Sequence, residues 1–128
     1  GGIAIDLGHH SEGTKVYAMF SGVVKSTSLC GAGDGIAIVS DAGGKSLGVA
    51  YMHGKNKQFK VGDAVKAGDY IMDQGNFGCN SFGSHLHIGI AYDGKYICPQ
   101  DVFAQAATGN MEFDFGAMVK KGKPTCGR

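Results

Sequence analysis

The sequence predicts an all-β domain, a mainly antiparallel sheet with one short helix near the C-terminus. Glycine supplies 23 of the 128 residues and falls between short apolar runs, as the turns of an all-β chain require. Those runs are rich in β-branched and aromatic residues, and none shows a sustained 3.6-residue period. A chain of this length forms one domain with a hydrophobic core of its own.

The predicted strands follow one another closely along the chain. In GIAIDL, at 2–7, apolar residues alternate with others, and the alternation places Asp6 on the face opposite the isoleucines. KVYAMFSGVVKS, at 15–26, is interrupted at Gly22. The remaining strands are GIAIVS (35–40), SLGVAYMH (46–53), DYIMDQG (69–75), HLHIGIAY (85–92) and KYIC (95–98), joined by turn signals such as DAGGK and YDGK.

The single helix is predicted for PQDVFAQAA, residues 99–107, because Pro99 suits the first position of a helix. From Thr108 to Arg128 the sequence is typical of a tail or linker. The chain therefore divides into a folded domain over 1–107 and a tail over 108–128.

Charge and hydropathy exclude two classes of partner. The net charge is only +1 and the lysines are scattered, so no basic surface for nucleic acid is predicted. No apolar run approaches the roughly 20 residues that a membrane span requires.

Two histidines stand one residue apart in HLHIGIAY. On a strand, His85 and His87 share a face, with Cα atoms roughly 6–7 Å apart. Gly89 and Ala91 continue that face and leave room beside the rings. The pair is either a solvated surface feature or part of a metal site.

Two further residues favour the metal site. Asp6 is an isolated carboxylate within an apolar strand, and His53 ends the strand GVAYMH. One carboxylate and three imidazoles at the faces or ends of strands make a ligand set that suits zinc.

Several motifs, in this order, resemble the M23 (LytM/lysostaphin-type) zinc metallopeptidases. They are GTKVYA with SGVV, YMH at 51–53, the hairpin VGDAVKAGD, and HLH followed by an apolar strand. The resemblance covers about residues 3–102 and implies the β-roll or open-sandwich fold of that family. It also implies a zinc-dependent endopeptidase that hydrolyses peptide bonds in bacterial peptidoglycan, in a stem peptide or cross-bridge. The alternative is a degenerate, non-catalytic relative with a structural or wall-binding role, for example in a phage tail or a secretion assembly.

The resemblance also implies a role for each polar residue. Asp6 and His87 match ligands of one zinc ion. His53 and His85 match the two family histidines that act on the attacking water and on the tetrahedral intermediate.

One expected ligand is missing from its usual place. The family pattern HxxxD would put a histidine at position 2, which is Gly2 here. Three explanations are open: a histidine upstream of Gly1 at a longer spacing, substitution by His9 or His10, or loss of the site. The first is preferred, and an exposed loop is the default interpretation of the His9–His10 pair.

The four cysteines, at 30, 79, 98 and 126, lack the spacing of a zinc knuckle. Either a Cys79–Cys98 disulfide or free buried thiols are compatible with the sequence. The resemblance implies action outside the cytoplasm, at the cell wall or from a virion. In the second case the domain would be part of a phage tail or lysin protein.

Overall fold

The computed structural model describes residues 4–7, 14–29, 35–75 and 86–119, with residues 4–7, 86 and 87 described by their backbone strand positions alone. Within these ranges the chain forms strands and two helices. They are β1 (Ala4–Leu7), β2 (Lys15–Tyr17), β3 (Gly22–Ser26), β4 (Gly35–Ala42), β5 (Lys45–Met52), β6 (Gly54–Lys55), β7 (Ala64–Val65), β8 (Tyr70–Gln74), β9 (Leu86–Tyr92), β10 (Lys95–Ile97), α1 (Pro99–Ala107) and α2 (Phe115–Met118).

The strands form two sheets in which every paired strand is antiparallel. The larger sheet has the order β1-β9-β5-β4-β3-β7, and β10 also pairs with β9. The smaller sheet has the order β2-β8-β6. The prediction of a mainly antiparallel all-β fold with a short late helix is therefore confirmed.

Apolar residues from both sheets form one core. Alternate residues of β5 are buried, namely Leu47, Val49 and Tyr51, and they join Val16 and Ile71 of the smaller sheet. Helix α1 occupies the predicted residues 99–107, with Pro99 in its first turn, and it buries Val102 against the same core. This shared core thus holds the two sheets and α1 together.

The segment VGDAVKAGD does not form the predicted hairpin. Its two-residue strand β7 pairs with β3 instead, and a turn lies on each side of it. Gly62 and Gly68 take the left-handed conformation in these turns, with φ of 95° and 90°. Asp63 and Asp69 each accept a hydrogen bond from the backbone N–H three residues earlier, at 2.8 Å. These local bonds favour two separate turns over one hairpin.

Part of the predicted tail packs on the domain. Phe113 and Phe115 contact the core, and the two rings stack with centroids 5.5 Å apart. An isolated bridge joins Ile97 to Val119. Phe113, Phe115 and Val119 therefore contact the domain, and the division at residue 107 stays a prediction.

Tyr51 ties the larger sheet to the chain between β2 and β3. Its side chain is 1% exposed, and its hydroxyl oxygen accepts a hydrogen bond of 2.9 Å from the Met19 N–H. Burial raises the pKa of Tyr51 to about 12, although the Met19 hydrogen bond acts in the opposite direction.

We expect Tyr51→Phe to lower the free energy of unfolding by about 1–3 kcal/mol at neutral pH, because the Met19 N–H loses its acceptor. The raised pKa means that the native state holds this proton more tightly than the unfolded chain, where the pKa is near 10. The associated stability is therefore present below about pH 10 and is lost as the pH rises toward 12. Denaturant titrations across this range should show a smaller alkaline loss for the variant than for the wild type, and parallel curves would contradict the account.

Candidate functional site

The strand register brings three of the four predicted site residues to neighbouring strands. Asp6 on β1 lies directly opposite His87 on β9. On the other side of β9, His87 lies opposite Met52, the last residue of β5. His53 follows Met52 directly. The backbone thus gathers Asp6, His87 and His53 at one end of the larger sheet, although they are far apart in sequence.

His53 has an unusual backbone conformation for an aromatic residue. Its φ is +65°, and its side chain is only 3% exposed. Its carbonyl oxygen accepts a hydrogen bond of 2.9 Å from the Gly75 N–H, which fixes the bend between β5 and β6. A left-handed non-glycine residue is uncommon, and burial distinguishes His53 from two exposed residues of this kind, Asn56 and Asp93.

Gln74 is a further buried polar residue beside His53. It is 1% exposed and lies opposite Gly54 in the pairing of β8 with β6. Its backbone N–H donates to the Thr14 carbonyl at 2.8 Å. The sequence did not single out this residue, because a glutamine at the end of an apolar strand is an ordinary pattern.

Gly54 is required for the close packing next to His53. A Cβ at this position would overlap Sδ of Met72 and would lie 2.5 Å from its Cε. Met72 is itself fully buried, so its side chain has little space into which to move.

We expect Gly54→Ala to lower the free energy of unfolding by about 1–3 kcal/mol, as overpacking of a core does. The matched control is Gly48→Ala, in the neighbouring strand β5, where a Cβ would have Ala91 O at 3.9 Å as its nearest neighbour. Thermal or denaturant unfolding checks both variants. Equal stability of the two variants would show that overlap with Met72 does not destabilise the Gly54→Ala variant.

Small residues cover the face of the sheet opposite the core near these positions. Ala37, Ala50 and Gly89 lie side by side across β4, β5 and β9, and Ala91 follows on β9; all four are half-buried. Small, half-buried residues therefore continue the strand face of β9 that the alternation assigns to His87, and they form a floor on this side of the sheet.

Several predicted residues lie outside the described ranges. They are Gly2, His9, His10 and His85, and for Asp6 and His87 the structure describes backbone positions alone. Among the side chains that the structure describes, no group of three or more histidine, cysteine, aspartate or glutamate residues could hold a metal ion. Likewise, no helix in the described part of the chain is long and apolar enough to cross a bilayer.

Cys98, the residue before α1, is bonded in a disulfide and is 5% exposed. The alternative of a free buried thiol is therefore wrong for this cysteine. The other cysteines, at positions 30, 79 and 126, lie outside the described ranges, so the predicted Cys79–Cys98 pairing stays a prediction.

Residues 2–99 match the model of peptidase family M23. The catalytic domain of the antimicrobial peptidase lysostaphin from Staphylococcus simulans is similar in structure, with a TM-score of 0.68 and 28% identity over 80% of this chain and 78% of that one. No curated protein sequence matches significantly.

Two other solved structures are similar to this chain. A variant catalytic domain of the prophage-encoded M23 protein EnpA from Enterococcus faecalis gives a TM-score of 0.61 and 29% identity over 77% of this chain and 75% of that one. LytU gives a TM-score of 0.65 and 29% identity over 80% of this chain and 72% of that one. The family match spans the elements that carry Asp6, His53 and His87, and with it the chain belongs to peptidase family M23.

Proposed function

We propose that this protein is a zinc-dependent endopeptidase that hydrolyses peptide bonds in bacterial peptidoglycan, in a stem peptide or a cross-bridge. The observation that carries the proposal is the register that sets Asp6 and Met52 opposite His87 on either side of β9, with His53 directly after Met52. Membership of a peptidase family and the likeness to the lysostaphin catalytic domain support it.

The donor set fits zinc. A carboxylate and an imidazole at directly opposite positions of an antiparallel pair have Cβ atoms about 4.5–5.5 Å apart in general, which allows both to reach one ion. Asp6 and His87 would hold the metal. A further histidine would complete the ligand set, with His9 and His10 as the candidates within this sequence. When bound, zinc supplies a water of lowered pKa and polarises the scissile carbonyl.

His53 and His85 would act on the reacting groups. His85 precedes His87 by two residues in the predicted strand, so it would stand on the same face. An imidazole can accept the proton of the attacking water and later donate it to the leaving amine near neutral pH. An imidazole N–H can also donate a hydrogen bond to the oxyanion of the tetrahedral intermediate. The bend at His53 fixes one of these imidazoles in place.

The floor of small residues suits a peptide substrate. The side chains of Ala37 and Ala50 are short, and Gly89 has none, so little projects above the sheet here. An extended peptide can therefore approach the strand ends that carry the site. The peptide partner would come from the cell wall. The disulfide at Cys98 supports action in an oxidising place such as the wall or a virion, because cytoplasmic proteins rarely keep disulfides. If the protein acts from a virion, its further partners would be proteins of a phage tail or another assembly.

The metal dependence is tested on the purified full-length protein by elemental analysis. One zinc ion per chain is expected. Its removal with a chelator should abolish hydrolysis of peptidoglycan peptides, and added zinc should restore it. Protein without metal and without hydrolysis would overturn the proposal in favour of the non-catalytic alternative, a domain that binds wall or partner protein.

A further inference from the structure

A cavity lies at the end of the larger sheet that is remote from His53. It has a volume of about 610 Å³ and lies between the β4–β5 hairpin and residues 111–116. Leu47, near the hairpin end of β5, lines it. Leu47 and His53 are six positions apart along β5 and the residue after it, which corresponds to roughly 20 Å. The cavity is therefore separate from the candidate peptidase site.

Aromatic rings form one wall of this cavity. Phe20 contacts Phe113 and Phe115 edge to face, with ring centroids 5.9 and 5.8 Å apart. Tyr92 adjoins Phe115 with centroids 5.7 Å apart. All four side chains are half-buried and line the cavity. Aromatic rings attract organic cations that approach their faces.

Two carboxylates complete the lining. Asp41 accepts a hydrogen bond of 2.8 Å from the Gly44 N–H, and Asp114 accepts one of 3.2 Å from the Ala117 N–H. These bonds hold both side chains at the cavity, where both residues are exposed. Among the described residues that line the cavity, there is no lysine or arginine. The lining is thus negatively charged in a chain whose net charge is +1.

We propose that this cavity binds a peptide through a cationic side chain, the ammonium of a lysine or the guanidinium of an arginine. The aromatic wall attracts the cation and packs on its methylene stem, while Asp41 and Asp114 complement its charge. The volume lies within the roughly 300–1,000 Å³ of ordinary ligand sites and exceeds that of one side chain, so neighbouring peptide groups enter as well. Binding of a peptide at this cavity does not require the peptidase activity.

The test uses three short peptides: acetyl-Ala-Lys-Ala-amide, its arginine analogue, and the neutral analogue with norleucine in place of lysine. Titration of the labelled protein, followed by NMR, should shift the backbone signals of residues 40–43 and 111–116 with either cationic peptide. The norleucine peptide has the same stem without the charge, and it should bind at least about fivefold more weakly. Equal binding of the norleucine and lysine peptides would overturn the proposal.

The variant Asp41→Asn with Asp114→Asn removes both charges and keeps both hydrogen-bond acceptors, because asparagine serves in turns and at helix N-caps as aspartate does. It should weaken binding of the lysine peptide about tenfold. The control is Asp63→Asn with Asp69→Asn, which removes two carboxylates that also accept local backbone hydrogen bonds but lie outside the cavity. Equal loss of binding in both double variants, or no binding by the wild type up to about 10 mM peptide, would refute a cation site here.

Discussion

Replacement of Asp6 by asparagine, or of His87 by alanine, is expected to remove bound zinc and to reduce peptide hydrolysis to background. The first change replaces an anionic oxygen donor with a neutral amide, and the second deletes the imidazole donor, at two positions that lie directly opposite each other in the β1–β9 register. The loss of zinc affinity should exceed the roughly 10- to 100-fold that follows when only an outer hydrogen-bonding partner of a ligand is lost. Elemental analysis of the purified variants, together with a peptidoglycan hydrolysis assay, checks both parts.

The control for these variants is Asp93→Asn. Asp93 is an exposed carboxylate in the turn between β9 and β10, with φ of 52°, a conformation that asparagine also tolerates. It should keep zinc and activity at wild-type levels. If either ligand variant also retains a full zinc ion, the assignment of that residue as a ligand is wrong.

The second large effect is expected at His53. The change to asparagine should lower kcat by about 10²–10⁴, the usual contribution of a general acid or base, while zinc content stays at one ion per chain. Asparagine is the informative substitute because it accepts the left-handed backbone at this position, φ +65°. Steady-state kinetics combined with elemental analysis separates loss of an imidazole from loss of the metal.

A comparison with His53→Ala separates the effect of backbone strain on stability from the effect of losing the imidazole. Alanine at a positive φ adds strain, so this variant should unfold at a lower temperature than the asparagine variant and lose similar activity. His85→Ala should likewise keep its zinc and lose hydrolysis. Full activity in the asparagine variant would remove His53 from the mechanism, and full activity in His85→Ala would do so for that residue.

Local patterns in the sequence predicted most of the fold. The alternation of SLGVAYMH predicted a half-buried strand, and Leu47, Val49 and Tyr51 are buried as a period of two requires. Pro99 indicated the start of α1 because its missing N–H and fixed φ suit the first helical position. By contrast, β6 and β7 have two residues each, and α2 has four, too few for any periodic signal.

The candidate site depended on information that local patterns do not contain. Asp6 and His87 are 81 positions apart, and only the pairing of β1 with β9 places them opposite each other. The left-handed bend at His53 has no sequence signal, because glycine or asparagine would be the expected residue there. Phe113 and Phe115 lie in the predicted tail or linker, and no local pattern predicts that their rings pack on Phe20.

The central proposal is tested most directly by identifying which bond breaks when the zinc-loaded protein acts on purified peptidoglycan. Labelling of new amino groups, with mass spectrometry of the released fragments, should reveal cleaved peptide bonds, and new reducing sugar ends should stay at background. After zinc removal, the same preparation should form neither new amino groups nor new reducing sugar ends above background. Zinc-loaded protein that binds the wall without forming new amino groups would contradict the account.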